Sequence, residues 1–93
     1  MIKSFAEADT AALFQGQGVR RLSPQIQRLA LRKLLLLDAA EALQDLRAPP
    51  GNRLERLQGD RAGQYSIRIN DQWRLCFEWR DSDAYAVEVT DYH

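Results

Sequence analysis

The sequence predicts an α+β fold, with two N-terminal helices packed on a small antiparallel β-sheet in one domain spanning residues 1–93. Three observations predict it. A stretch rich in Ala, Leu, Gln and Arg, free of Gly and Pro, follows Ser23-Pro24. Beyond Gly51 the hydrophobic period changes from helical to strict alternation. The run Ala48-Pro49-Pro50-Gly51 separates the two regimes.

In chain order, residues 1–6 read as a short strand. Asp9 or Thr10 suits the cap of a short helix through Ala11, Ala12, Leu13 and Phe14, ended by Gly16 and Gly18. Ser23-Pro24 then starts the main helix: the serine caps it, and proline at the first helical position lacks only an N–H that would be unpaired anyway. That helix is expected to run to about Leu46, with Ile26, Leu29, Leu36, Ala40 and Leu43 at apolar spacing and Lys33 interrupting the series. After a weaker strand at residues 53–57, Tyr65, Ile67 and Ile69 alternate with Gln64, Ser66 and Arg68. Trp73, Leu75, Phe77 and Trp79 alternate with Arg74, Cys76, Glu78 and Arg80, and Tyr85, Val87 and Val89 open a third strand. Parity fixes the central turn. A loop of Asn70-Asp71-Gln72 pairs Ile69 with Trp73 and keeps apolar residues on one face, whereas a loop of Asp71-Gln72 alone would mix the faces. A loop of that length calls for a left-handed residue, which Asn or Asp supplies best after Gly.

Net charge is zero, but the charges are segregated: six basic against two acidic side chains in residues 1–35, and four arginines against two acids in residues 61–80. This excludes a bulk polyanion binder while leaving room for a local basic site, whose reach is a Debye length of roughly 8 Å. Cys76 is the only cysteine, so an intramolecular disulfide is excluded. No signal peptide or apolar run of about 20 residues is visible, and a cytoplasmic protein without membrane contact is expected.

The register places Arg68 directly opposite Arg74. Like charges in that position destabilise a sheet, whereas two guanidinium forks aimed at one spot match a phosphate. The competing reading pairs each arginine with an acid such as Glu78, Glu88 or Asp91. His93, the only histidine, suits proton transfer near neutral pH. By alternation, however, it shares a face with Val87 and Val89, and Tyr92 shares one with Glu88. Either a bulge re-aims the last residues or Tyr92 supplies the group at the site. One histidine and one cysteine make no zinc site, and no cofactor motif is present. Cys76 reads as a packing residue. Residues 59–63 read as a turn that carries Arg61 as a phosphate contact. Arg20, Arg21, Arg28 and Arg32 form a basic patch near the long helix, either solvated or touching RNA.

The stretch from Leu57 to Phe77, with its Gly59-Asp60-Arg61 turn and Asn70-Asp71-Gln72-Trp73-Arg74, resembles the core signature of HigB-type toxins of the RelE superfamily. The opening Met1-Ile2-Lys3-Ser4-Phe5 and the closing Asp91-Tyr92-His93 match the same family. The resemblance implies the RelE-like microbial RNase fold and a ribosome-dependent endonuclease that cuts mRNA without a metal. It also implies a neighbouring HigA-type helix-turn-helix antitoxin, through whose complex alone operator DNA is bound. By position, Arg68, Arg74, Tyr92 and His93 match the family's active face and functional C-terminus, with Gln58 and Arg61 among the RNA contacts. In the implied chemistry the ribose 2′-OH attacks the adjacent phosphorus, the arginines stabilise the developing charge, and His93 with Tyr92 moves a proton. Gln58 and Glu55 stand where some relatives carry lysine and histidine, which implies a slower enzyme. Two alternatives compete: a ribosomal RNA binder that does not cut, and a DNA-binding module, for which no helix-turn-helix spacing is present.

Overall fold

The computed structural model describes residues 1–91 and places one cluster of buried apolar side chains between the helices and one face of a four-stranded sheet. Where a strand was expected over residues 1–6, there are two isolated parallel bridges to the last strand, Ile2 to Ala84 and Phe5 to Val87. Helix α1 (Ala8–Phe14) begins earlier than expected, with Glu7 and not Asp9 or Thr10 at the cap position. Thr10 is instead fully buried. Its hydroxyl donates to the Glu7 carboxylate and accepts the Val89 N–H at 3.0 Å, tying the helix to the sheet. Gly16, at φ +84°, closes α1 in a conformation glycine adopts without steric cost.

Helix α2 (Pro24–Ala39) starts as expected: Ser23 Oγ accepts the Ile26 N–H at 3.2 Å, and Pro24 stands at the first position. It ends well short of Leu46. The Asp45 carboxylate accepts the N–H groups of Glu41 and Ala42, both at 3.0 Å. That offers the backbone a competitor to the helix, and a 3₁₀ turn at Leu43–Arg47 then carries Leu46 into the core. The buried stripe of α2 is Ala30, Leu34 and Leu37, while Leu36 is exposed. Four consecutive leucines at 34–37 fit any helical period, so spacing alone picked the wrong one. A cis Ala48–Pro49 peptide and a 3₁₀ turn at Pro50–Asn52 lead into the sheet.

Strands β1 (Glu55–Arg56), β2 (Gln64–Arg68), β3 (Trp73–Arg80) and β4 (Asp83–Asp91) pair antiparallel in that order. The β2–β3 register is the one parity dictates: Tyr65 faces Phe77, Ile67 faces Leu75 and Arg68 faces Arg74. Its turn is built differently. None of residues 70–72 has a positive φ. The Asn70 side chain accepts the N–H groups of Gln72 at 2.9 Å and Trp73 at 2.8 Å, replacing a left-handed residue with a side-chain turn. The β3–β4 turn does use positive φ, at Asp81 and Ser82. A bulge follows, in which Phe77 opposes both Ala86 and Val87, with Ala86 at φ +51°. The bulge breaks the alternation expected for Tyr85, Val87 and Val89. Tyr85 turns to the polar face, where the Arg80 guanidinium lies 3.9 Å from its ring centre.

Candidate active site

The sheet's second face carries polar residues, as alternation requires, but its centre is not open to water. Ser66, Cys76 and Arg74 are 0%, 1% and 5% exposed. Beside them lies a concave pocket of about 710 Å³, walled by the segment from Glu55 through the 3₁₀ turn at Gly59–Arg61 and floored by Cys76 and Thr90. Asp91, the last described residue, lines its rim.

Arg74 is held rather than displayed, which corrects the expectation of two arginines on an open face. Its Nε donates to Ser66 Oγ at 2.8 Å, and a terminal nitrogen donates to the Arg53 carbonyl at 2.7 Å. The Glu55 carboxylate stands 3.9 Å from that nitrogen. Burying a guanidinium is unfavourable unless its N–H groups are bonded. The surrounding acceptors fix its plane in advance. Arg68, its cross-strand partner, is half-buried and pairs with Asp71, whose side chain is 99% exposed. Each arginine thus has a neighbouring acid, Asp71 beside Arg68 and Glu55 beside Arg74, as the competing reading expected in kind.

Arg61 spans the pocket, donating to Gln64 Oε1 at 3.0 Å and pairing with Glu88 at 2.9 Å. Gln58 is exposed at the rim. Burial pushes the Cys76 thiol above its ordinary value, and Glu88 adds to the rise. The Thr90 hydroxyl, Arg61 and Arg74 favour the thiolate and are outweighed. The thiolate, the form a nucleophilic cysteine needs, is thus disfavoured at Cys76, whose side chain is buried in the sheet.

The structure gathers Arg68, Arg74, Arg61 and Gln58 around one face. It does not gather the arginines near the long helix. Arg21 pairs with Glu7 at 2.6 Å and Asp9 at 3.1 Å, donates to the Val89 carbonyl and sits over Trp73, so it braces α1 against the sheet. Arg28 lines a separate groove of about 350 Å³ between α1 and α2. Arg20 and Arg32 are exposed. Tyr92 and His93 lie outside the described residues, and the one described bulge, at Ala86, precedes them in the chain. Among the described residues no group of three His, Cys, Asp or Glu side chains is placed to hold a metal ion. Sequence reasoning missed Ser66 and Arg53 as holders of Arg74. The alternation already put Ser66 on that face, but a backbone carbonyl leaves no mark in the residue pattern. It also treated Lys33 merely as an interruption. The ammonium of Lys33 bonds the side-chain oxygen of Asn52, itself fully buried.

The family model described as a RelE-like toxin of the type II toxin–antitoxin system HigB matches residues 3–93. Toxin HigB-1 of Vibrio cholerae is 51% identical over 65 residues, which cover 70% of this chain and 68% of that protein. Endoribonuclease HigB of Proteus vulgaris is 35% identical over 95 residues, covering both proteins in full. Among solved structures, the YoeB–YefM complex from Staphylococcus aureus superposes with a TM-score of 0.61 at 18% identity, over 100% of this chain and 98% of that one, a likeness of fold.

Proposed function

This chain belongs to the RelE-like HigB toxins of type II toxin–antitoxin systems, and from that premise we propose that it is an endoribonuclease that cuts ribosome-bound mRNA at the polar face of its sheet. Its partner is an antitoxin; we take that partner to be a HigA-type helix-turn-helix protein that carries the complex to operator DNA. The toxin acts in the cytoplasm, with residues 1–93 forming a single toxin domain, and growth stops because translation stops.

One observation carries this reading: Arg74 is buried and oriented by Ser66 and the Arg53 carbonyl, opposite Arg68 and beside a pocket large enough for a nucleotide. Donors fixed before the substrate arrives are worth most where charge develops in the transition state. In the reaction the 2′-OH oxygen bonds to phosphorus, its proton passes to a base, and the 5′ oxygen leaves and takes up a proton. The products are a 2′,3′-cyclic phosphate and a 5′-OH, and no metal is required. Arg68 and Arg74 stabilise the phosphorane charge, while His93 and Tyr92 supply proton transfer. Arg61 and Gln58 hold RNA at the pocket, and the exposed Arg20, Arg28 and Arg32 add long-range attraction; Arg21 contributes through its hold on α1. Glu55, 3.9 Å from Arg74, opposes the phosphate charge and supports a slow rate.

Mapping new 5′ ends in ribosome-bound mRNA tests the proposal. Arg74→Met is expected to lower cleavage by about 10²–10³-fold, with His93→Ala comparably impaired. A single 2′-deoxy substitution at the cut site is expected to abolish cleavage there. Cleavage that survives the deoxy substitution refutes the mechanism. Growth arrest without new ends refutes the endonuclease in favour of an RNA-binding inhibitor.

A further inference from the structure

Lys33 stands on α2, outside the face described above, yet the backbone that holds it also holds Arg74. Its ammonium donates to the side-chain oxygen of Asn52. That asparagine is 0% exposed, and its amide group donates to the carbonyls of Leu46 at 3.2 Å and Ala48 at 3.1 Å, so the oxygen presented to Lys33 is fixed from behind. The next residue, Arg53, has φ +45°, and its carbonyl accepts Arg74 at 2.7 Å. Adjacent residues of one turn thus anchor a cation from the helix and a cation from the sheet, with Arg68 opposite the second.

Asn52 is neutral, and among the described residues Lys33 makes no ion pair with a carboxylate. An ammonium has three N–H donors, of which Asn52 takes one. Burial, then the fields of Arg32 and Arg68, push the Lys33 pKa below its ordinary value, so each of these guanidiniums acts on the ammonium that Asn52 holds. A fold selected for stability alone would put an acid or an apolar side chain at this position. Asp71, the acid on Arg68, is almost wholly in water and leaves that arginine at little cost.

We propose that Lys33, seated by Asn52, together with Arg68 forms a second phosphate-binding position, which takes a phosphodiester next to the scissile one and leads the RNA strand from the sheet face toward α2. This rests on the endoribonuclease reading but has a readout that needs no cleavage. The probe is a short single-stranded 2′-O-methyl oligoribonucleotide, which cannot be cut by 2′-OH attack, with its binding followed by fluorescence anisotropy across a series of KCl concentrations. Each phosphate contact released contributes about 0.7 to the slope of log affinity against log salt for a single strand. Lys33→Met is expected to weaken binding several-fold and to flatten the slope by about that amount; Lys33→Arg is expected to restore both. On ribosome-bound mRNA, Lys33→Met is expected to raise KM and leave kcat within about twofold of the parent.

A slope unchanged in folded Lys33→Met overturns the proposal. So does absence of salt-dependent binding by the parent protein. A fall in kcat at unchanged KM also overturns it, and would make Lys33 a positioning residue acting on Arg74 through residues 52 and 53. If the parent binds with the expected salt dependence but produces no new RNA ends, the nuclease reading fails and the phosphate position stands.

Discussion

The two faces of the sheet are buried by opposite means. On one, Ile67, Leu75, Phe77, Val87 and Val89 are sealed against Ala30, Leu34 and Leu37 and need no partners beyond close packing. On the other, Ser66, Arg74 and Cys76 are equally inaccessible, but there burial of the guanidinium is tolerated because its N–H groups find acceptors, Ser66 Oγ and the Arg53 carbonyl. The first arrangement stabilises the fold through area removed from water. The second gains little stability and achieves orientation. Burial alone therefore does not separate core from site in this chain; the chemistry of what is buried does.

Substitutions can break that contrast. The largest stability effect is expected on the apolar face: Phe77→Ala removes a fully buried ring in contact with Tyr65 and Trp79. It should cost about 3–5 kcal/mol, a large share of the roughly 5–15 kcal/mol available to a domain. Chemical denaturation measures the loss, and the fraction that remains folded should keep its cleavage rate. Arg74→Met reverses the pattern. It leaves Ser66 and the Arg53 carbonyl without their donor and should cost about 1–3 kcal/mol, less than Phe77→Ala, while abolishing nearly all activity. Equal stability losses from the two substitutions would dissolve the distinction.

Smaller effects sharpen it. Asn70→Ala removes the side-chain acceptor for Gln72 and Trp73 at the hairpin that aligns Arg68 with Arg74. A loss of about 1 kcal/mol is expected in denaturant titration, together with a fall in cleavage rate from a loosened register. The smallest effect concerns alkaline pH. The Cys76 thiol titrates above its ordinary value, so its contribution to stability is intact below that ordinary value and is lost as pH rises through the raised one. Lys33 titrates below its ordinary value and acts in the opposite direction, favouring the fold more as pH climbs from its lowered value to the ordinary one. Cys76→Ala should therefore flatten the alkaline fall in melting temperature, and Lys33→Met should steepen it.

Much of this architecture was legible in the residue pattern, because alternation and turn chemistry act locally. The β2–β3 register followed from parity alone and put Arg68 opposite Arg74. The Ser23-Pro24 start of α2 followed from capping. What escaped depended on particular side chains meeting particular backbone groups, which periodicity does not register. The end of α2 is set by Asp45 reaching back to Glu41 and Ala42, with no glycine or proline to announce it. The reversal of Tyr85 comes from Ala86 at positive φ beside the crossing N-terminal segment, a conformation alanine does not advertise. At the site, the arginines were visible, but not the serine and carbonyl that hold one of them, nor the lysine two elements away that shares the same turn.

The crossing of residues 1–6 over β4 has a consequence for assembly. The outward N–H groups of Ala84, Ala86, Val87 and Val89 are taken by Met1 O, Ser4 Oγ, Ser4 O and Thr10 Oγ1, and the carbonyls of Ala84, Val87 and Val89 by Lys3, Ala6 and Arg21. From Ala84 to Val89 these bonds occupy outward groups that a foreign strand would otherwise complete. The opposite margin, β1, is two residues long. An extended peptide that sought to lengthen this sheet at β4 would first have to displace residues 1–6.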